Sequence, residues 1–298
     1  LKNRFVVVFI MCFKSNSLLL NLNLKKHMRL KRVLEHSIYL AIIFILVPVF
    51  IYFELCIVLP AVVKEWSIPY FIHYCCAAFL ILNIVGNMIF GMFTDTSVKG
   101  RMSEKVMSNT QNWDFCAECD FLRPPRAWHC DTCNICILKR DHHCTFFACC
   151  IGYYNYRYFI MFTLDIFVAM LYAFYYNVQF LAQFISWNHG LVIIKFLFPL
   201  ASFVIDFGPE SVYVFLVLIN FLVALFTGFL FFYHINNVLN GKITPENKNS
   251  LKSVYDKGWT CNLIEVLGAR WHLTWISPFI YSPLPGNGFE WDINDKTQ

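Results

Sequence analysis

The chain is 298 residues long, 58% hydrophobic and 18% aromatic, with 14% charged residues and a formal net charge of +5. Its mean hydropathy is +0.53, and a soluble domain carries roughly a quarter charged residues, so a single water-soluble core is excluded and a membrane class is indicated. No phosphate-binding glycine loop or nucleic-acid module is evident, and nucleic acid is not an expected partner.

Residues 1–36 hold eight of the 24 Lys and Arg. Their apolar run Phe5–Phe13 is too short to span a bilayer, and no small-residue cleavage site follows it. Met28 opens a basic stretch just ahead of the first long apolar run, so residues 1–27 are read as an upstream extension or an artefact of the sequence. Four runs reach the roughly 20 apolar residues that a transmembrane helix needs: Ser37–Val63, Ile68–Phe93, Tyr158–Ile185 and Ser211–Tyr233. A fifth, Leu191–Ile205, contains Lys195 and Pro199 and reads as a re-entrant or interfacial piece. Neither an internal repeat nor a low-complexity stretch is evident.

With four spans, 22 of the 24 Lys and Arg fall on one side, leaving Lys64 and Lys195 on the other. The positive-inside rule makes the basic side cytoplasmic. The expected fold is therefore an all-α membrane protein of four transmembrane helices, with a cytosolic cysteine-rich domain between helices 2 and 3. The segments are 1–36, cytosolic; 37–93, helices 1 and 2; 94–157, the cytosolic domain; 158–235, helices 3 and 4 with a lumenal loop; and 236–298, a cytosolic tail. Glu54 and Asp165 fall inside predicted spans, where a carboxylate needs a partner or water.

Eight of the thirteen cysteines, at 116, 119, 130, 133, 136, 144, 149 and 150, lie within 35 residues. In the reducing cytosol, metal binding or thiol chemistry is favoured over disulfides. A Cys116-x2-Cys119 knuckle, His129 and a Cys130-x2-Cys133-x2-Cys136 run precede Asp141-His142-His143-Cys144 and Cys150. Zinc takes thiolate and imidazole ligands in sets of four. The donors suffice for two closed sites and leave Asp141, His142 and Cys144 over. A thiol is mostly protonated at neutral pH; a neighbouring imidazole can activate it, and a carboxylate can orient the imidazole.

Residues 116–159 resemble the cysteine-rich domain of the DHHC protein S-acyltransferases (palmitoyltransferases). The family pattern is met by Cys116, Cys119, Arg123, Pro124, Arg126, His129, Cys130, Cys133, Cys136, Asp141, His142, His143, Cys144, Cys150, Asn155 and Phe159. The resemblance implies two structural zinc ions, one on Cys116, Cys119, His129 and Cys136, the other on Cys130, Cys133, His143 and Cys150. It implies that Asp141 orients His142, that His142 activates Cys144, and that Cys144 carries an acyl thioester between long-chain acyl-CoA and a protein cysteine. Membrane lipids and membrane-associated proteins with cytosolic cysteines are the implied partners, and the Golgi or endoplasmic reticulum the implied location.

Thr145, Phe146 and Cys149 depart from the family pattern, and Ile243 stands where the motif continued by Thr244 and Glu246 has a Thr. Thr244 and Asn262 match supporting motifs. The basic residues Arg123, Arg126, Lys139 and Arg140 are expected either at CoA phosphates, Arg123 and Arg126 above all, or at anionic headgroups. A silent membrane scaffold with a partner-binding zinc domain is the competing reading.

Overall fold

In a computed structural model, the described residues are 37, 41–102, 110, 113–184, 197–198, 208–248 and 253–292. Residues 1–27 and most of the run 191–205 lie outside them. Four helices among the described residues are long and apolar enough to cross a membrane. They are α1 (Phe44–Val62), α2 (Ile68–Phe93), α3 (Tyr156–Phe184) and α4 (Pro209–Leu239). The fold is mostly helical, as expected, and suits an integral membrane protein. The described β-strands lie in the cysteine-rich region between α2 and α3.

The chain divides into two compact units, one built around residues 86–159 and 234–298, the other from 41–85 and 160–233. The second unit is helical. Its core packs Phe53 and Val58 of α1 against Phe180 and Leu181 of α3 and Val214 and Val217 of α4. Phe71, Leu82, Leu222 and Phe229 point outward and are exposed, an arrangement that suits lipid as the solvent. Polar groups turn inward instead. Glu54 accepts a hydrogen bond from Asn177 Nδ2 at 2.7 Å, and Asp165 is buried.

Helix α4 runs to Leu239, six residues beyond the expected end at Tyr233. The apolar run stops at Tyr233, but the helix continues through His234, which is buried with its Nδ1 3.1 Å from the Tyr156 hydroxyl, and through the buried Asn237. It ends at Gly241, whose φ of 65° lies in the left-handed region, where glycine carries no side-chain penalty. The amides of Gly241 and Lys242 donate to the carbonyls of Val238 and Asn237 at 3.0 and 2.8 Å, closing the helix end.

The first unit contains three antiparallel hairpins: β1 (Asp114–Cys116) with β2 (Phe121–Arg123), β3 (Trp128–Cys130) with β4 (Ile135–Ile137), and β5 (His142–Cys144) with β6 (Cys149–Ile151). Corresponding strands begin 14 residues apart. Each turn places a non-glycine residue in the left-handed region: Asp120, Asn134 and Ala148, with φ of 56°, 55° and 50°. The expectation of no internal repeat is thereby corrected. The repeat is one of backbone shape, and only part of it is written in side chains.

The tail of the same unit packs on these hairpins. Phe289 joins Val98, Leu138 and Tyr153 in a buried cluster. Helix α5 (Trp259–Leu267) brings in Glu265, whose Oε1 accepts from Lys139 Nζ at 2.5 Å. Asn262 of α5 donates to Leu239 O at 2.9 Å and to Asp256 Oδ1 at 2.7 Å, tying the tail helix to the end of α4.

Candidate active site and metal centres

Hairpin geometry explains how eight ligands form two sets. In each of the first two hairpins the leading strand ends on a cysteine, and the turn supplies a second one three residues on. The following hairpin adds a histidine and a cysteine that are cross-strand partners, His129 with Cys136 and then His143 with Cys150. Cys116, Cys119, His129 and Cys136 converge in one group, and Cys130, Cys133, His143 and Cys150 in another, with ligand atoms within 4.8 Å of one another.

In the first group His129 Nδ1 lies 3.7, 3.2 and 4.0 Å from the sulfurs of Cys116, Cys119 and Cys136. In the second, His143 Nδ1 lies 3.7, 3.3 and 3.7 Å from those of Cys130, Cys133 and Cys150. Ligand distances of about 2.3 Å for sulfur and 2.0–2.1 Å for nitrogen imply tetrahedral S···N edges of roughly 3.6 Å. Both sets fit a tetrahedral zinc ion on this scale. Burial pushes the Cys136 thiol up, and crowding by Cys116 and Cys119 adds to it, so its thiolate calls for a cation. Cys149 stands outside both sets. Its sulfur lies 3.7 Å from Gly91 O and 3.8 Å from Asn155 Nδ2.

The third hairpin breaks the pattern at one position. Cys144 occupies the register held by the ligands Cys116 and Cys130, but its turn offers Phe147 where theirs offer Cys119 and Cys133. The Phe147 ring is fully buried against Gly91, where a Cβ would overlap it. Cys144 is buried and belongs to neither metal set. Its hairpin also carries His142, whose charged form the neighbouring Cys144 side chain favours and whose Nδ1 hydrogen-bonds Asp141 Oδ2 at 2.7 Å.

Asp141 is the hub of this arrangement. Its side chain is 0% exposed, and an enclosed carboxylate needs partners to stay charged. It has them. The Thr244 hydroxyl donates to Oδ2 and the Thr244 amide to Oδ1, both at 2.9 Å. The Tyr156 hydroxyl donates to Oδ1 at 3.1 Å, and His234 Nδ1 lies 3.4 Å from Oδ2. Burial opposes the charge, but the His142 hydrogen bond, the neighbouring imidazoles and the Thr244 amide outweigh it and hold the carboxyl at about 2. Burial likewise opposes charge on His142, but its hydrogen bonds with Asp141 and Cys144 raise the imidazole to about 9. The combination suits an imidazolium held by a carboxylate beside a cysteine.

Asn155 sets the entry to α3. Its Nδ2 donates to Gly91 O at 3.1 Å and to Cys150 O at 2.9 Å, and its Oδ1 accepts from the Gly152 amide at 2.8 Å. Tyr156 is therefore delivered to Asp141 from a fixed helix start. Phe159, one turn on, packs edge-to-face on both imidazoles, with centroids 4.9 Å from His142 and 4.9 Å from His234.

Most residues expected at the site are thus together: Asp141, His142, Cys144 and Thr244 here, with the two ligand sets alongside. Tyr156 and His234 were missed. His234 sits beyond the end assigned to the fourth apolar run, and a run of Asp, His and Cys needing several donors was the one available hint. The basic set divides differently from expectation. Arg126 is buried, its Nε and Nη2 bound to Glu246 at 2.8 Å and its Nη2 also to Gly241 O at 2.9 Å. It lies 4.6 Å under the Trp291 ring. This is a structural tie between hairpins and tail, not a cation presented to a phosphate. Lys139 is enclosed with Glu265. Arg123 keeps partial exposure, 3.5 Å from Asp114 and stacked on Trp128.

The family description "DHHC palmitoyltransferase" matches residues 109–251. Among curated proteins, the probable palmitoyltransferase ZDHHC24 of Mus musculus is 33% identical over 223 residues, covering 71% of this chain and 75% of that one. Its Danio rerio counterpart is 32% identical over 238 residues, covering 77% and 78%. Palmitoyltransferase PFA3 of Debaryomyces hansenii is 28% identical over 189 residues, covering 58% of this chain and 45% of its own. Identity of that extent carries the likeness well beyond the cysteine-rich segment, and the chain belongs to the DHHC palmitoyltransferase family of protein S-acyltransferases.

Proposed function

We propose that this S-acyltransferase works through an acyl-enzyme on Cys144, with long-chain acyl-CoA as donor and cytosolic cysteines of membrane-associated proteins as acceptors. The observation that carries the reading is the His142 ring, held at 2.7 Å by a fully enclosed Asp141 on the same hairpin as a buried cysteine left out of both metal sets. In the first step the Cys144 sulfur attacks the thioester carbonyl carbon. The carbon–sulfur bond to CoA breaks, and the departing CoA sulfur takes up the proton held by His142. In the second step a substrate thiol gives its proton to His142 and displaces Cys144 from the acyl carbon. One thioester replaces another in each step, so neither a nucleotide nor a redox cofactor is required.

Zinc bound at the two ligand sets would cross-link successive hairpins and hold their thiolates. Keeping a long acyl chain out of water is worth about 0.8 kcal/mol per methylene, which is why such chemistry belongs at a membrane. Among the cations expected at CoA phosphates, Arg123 is the one whose placement suits that role. The proposed organisation keeps residues 94–157 and 236–298 in the cytosol, on Golgi or endoplasmic reticulum membranes.

The test uses purified protein in detergent with a clickable palmitoyl-CoA analogue, comparing wild type with Cys144→Ser. Hydroxylamine-sensitive labelling present in the first and absent from the second is expected. Equal labelling of both would overturn Cys144 as the acyl carrier, and none in folded, zinc-loaded wild type would favour the silent scaffold.

A further inference from the structure

The Asp141 carboxylate has two imidazoles on one oxygen. His142 Nδ1 lies 2.7 Å and His234 Nδ1 3.4 Å from Oδ2. One ligand atom from each of the three residues lies within 4.8 Å of the other two. Zinc held by nitrogen and oxygen at about 2.0–2.1 Å has ligand edges of roughly 3.3 Å, so the His234 edge is on that scale and the His142 edge needs to open by a few tenths of an ångström. Its outer surroundings are those of a ligand carboxylate. Thr244 and Tyr156 fix the Asp141 oxygens by hydrogen bonds, and Phe159 packs against both rings. Asp141 and His234 are buried, while the His142 side chain, 27% exposed, leaves an approach from solvent. The group shares no residue with either cysteine-rich ligand set.

We propose that Asp141, His142 and His234 form a third divalent-cation position, exchangeable where the other two are structural, and that zinc bound there switches the enzyme off. Without thiolate among the three ligands the site is weaker than a Cys3His set, so it fills and empties with free zinc. The inhibition follows from the geometry. Coordination through Nδ1 takes the place of the 2.7 Å hydrogen bond by which Asp141 holds the ring, and the displaced proton goes to solvent. The ring is then held by the cation and no longer aimed at Cys144 by the carboxylate. Cation binding and acyl transfer therefore exclude each other. The inhibitory consequence rests on the acyl-enzyme reading; the binding does not.

The experiment takes full-length protein with its two structural sites filled and titrates buffered free Zn2+. It follows bound zinc per chain by equilibrium dialysis, and acylation by the clickable analogue. A third zinc is expected, with inhibition midway at the same free concentration. His234→Phe should weaken the third binding by at least about 10-fold and shift the inhibition midpoint equally, each curve scaled to that variant's own uninhibited rate. His234→Gln gives the same comparison should the phenylalanine variant fail to fold, judged by monodispersity and two retained zincs. Cys144→Ser should keep the third zinc although it cannot be acylated. Absence of a third zinc, unchanged binding in both His234 variants, or its loss in Cys144→Ser would overturn the proposal. Should acylation itself fail in every sample, dialysis alone still decides whether the site exists, which separates this failure from failure of the acyl-enzyme.

Discussion

Replacing Thr244 by valine removes one hydroxyl and keeps the shape of the side chain. The lost bond is the 2.9 Å donation from Oγ1 to Asp141 Oδ2, whereas the Thr244 amide still donates to Oδ1 at 2.9 Å. Asp141 stays ionised near neutrality, because its carboxyl is held at about 2, with burial opposing and the His142 bond and neighbouring groups prevailing. What changes is aim. Oδ2 is the oxygen that His142 Nδ1 meets at 2.7 Å, and without Oγ1 one of its anchors is gone. A hydrogen bond to a charged group is worth about 1.5–3 kcal/mol. Fully expressed in the transition state, that is a rate loss of roughly 10- to 150-fold. The assay is the initial rate of thioester formation on Cys144, with zinc content and monodispersity as controls. Thr244→Ser restores the hydroxyl and should recover most of the rate. A valine variant within about twofold of wild type, or a serine variant as slow as valine, would refute the claim that this hydroxyl positions the carboxylate.

Cys130→Ser should lose one zinc per chain and the acylation with it, whereas Cys149→Ala should keep both zincs, because Cys150 and not Cys149 lies in the second ligand set; metal analysis of the purified variants checks this. Glu265→Ala strands the buried Lys139 ammonium, whose 2.5 Å partner it is, and should cost about 3–5 kcal/mol, read as a lowered thermal midpoint that Lys139→Met in the same chain largely restores. The His142 imidazole is raised from 6.5 to about 9, against its burial, by Asp141 and Cys144. The stability of this pairing is complete below about 6.5 and is lost as pH rises through about 9. The acylation rate should fall on that alkaline limb, and Asp141→Asn should move the limb toward neutrality in a rate–pH profile.

The parts of this fold that were legible in the sequence are those where composition and chemistry coincide. Four long apolar runs require membrane helices whatever they pack against, and a cysteine knuckle with a distant histidine and cysteine is costly to explain without a metal. Placement was less legible. An arginine beside zinc ligands reads alike whether it faces solvent or a carboxylate. Only the fold brings Glu246, 120 residues away, onto Arg126. His234 was hidden because hydropathy marks where the apolar run stops, while the helix runs on to Leu239, its end closed by the amides of Gly241 and Lys242.

The 14-residue repeat is the most instructive case, because its trace was present in Cys116, Cys130 and Cys144, in His129 and His143, and in Cys136 and Cys150. It escapes notice because the other positions differ. The left-handed turn residue is Asp120, then Asn134, then Ala148, and only the first two are residues that tolerate this conformation well. Yet the repeat accounts for the free thiol. A knuckle holds its first cysteine on a metal only when the turn supplies the second and the next hairpin supplies a histidine and cysteine. After β6 the chain enters α3 at Tyr156 instead of a fourth hairpin, and the turn holds Phe147. Cys144 is thus presented with the backbone geometry of a ligand and none of the cysteine partners that complete a set. What reaches it is His142, on the same strand, with Asp141 behind it. The cysteine proposed as the nucleophile is thus what an unfinished metal site leaves at the end of a repeat, and the proposed third cation would compete for the histidines around it.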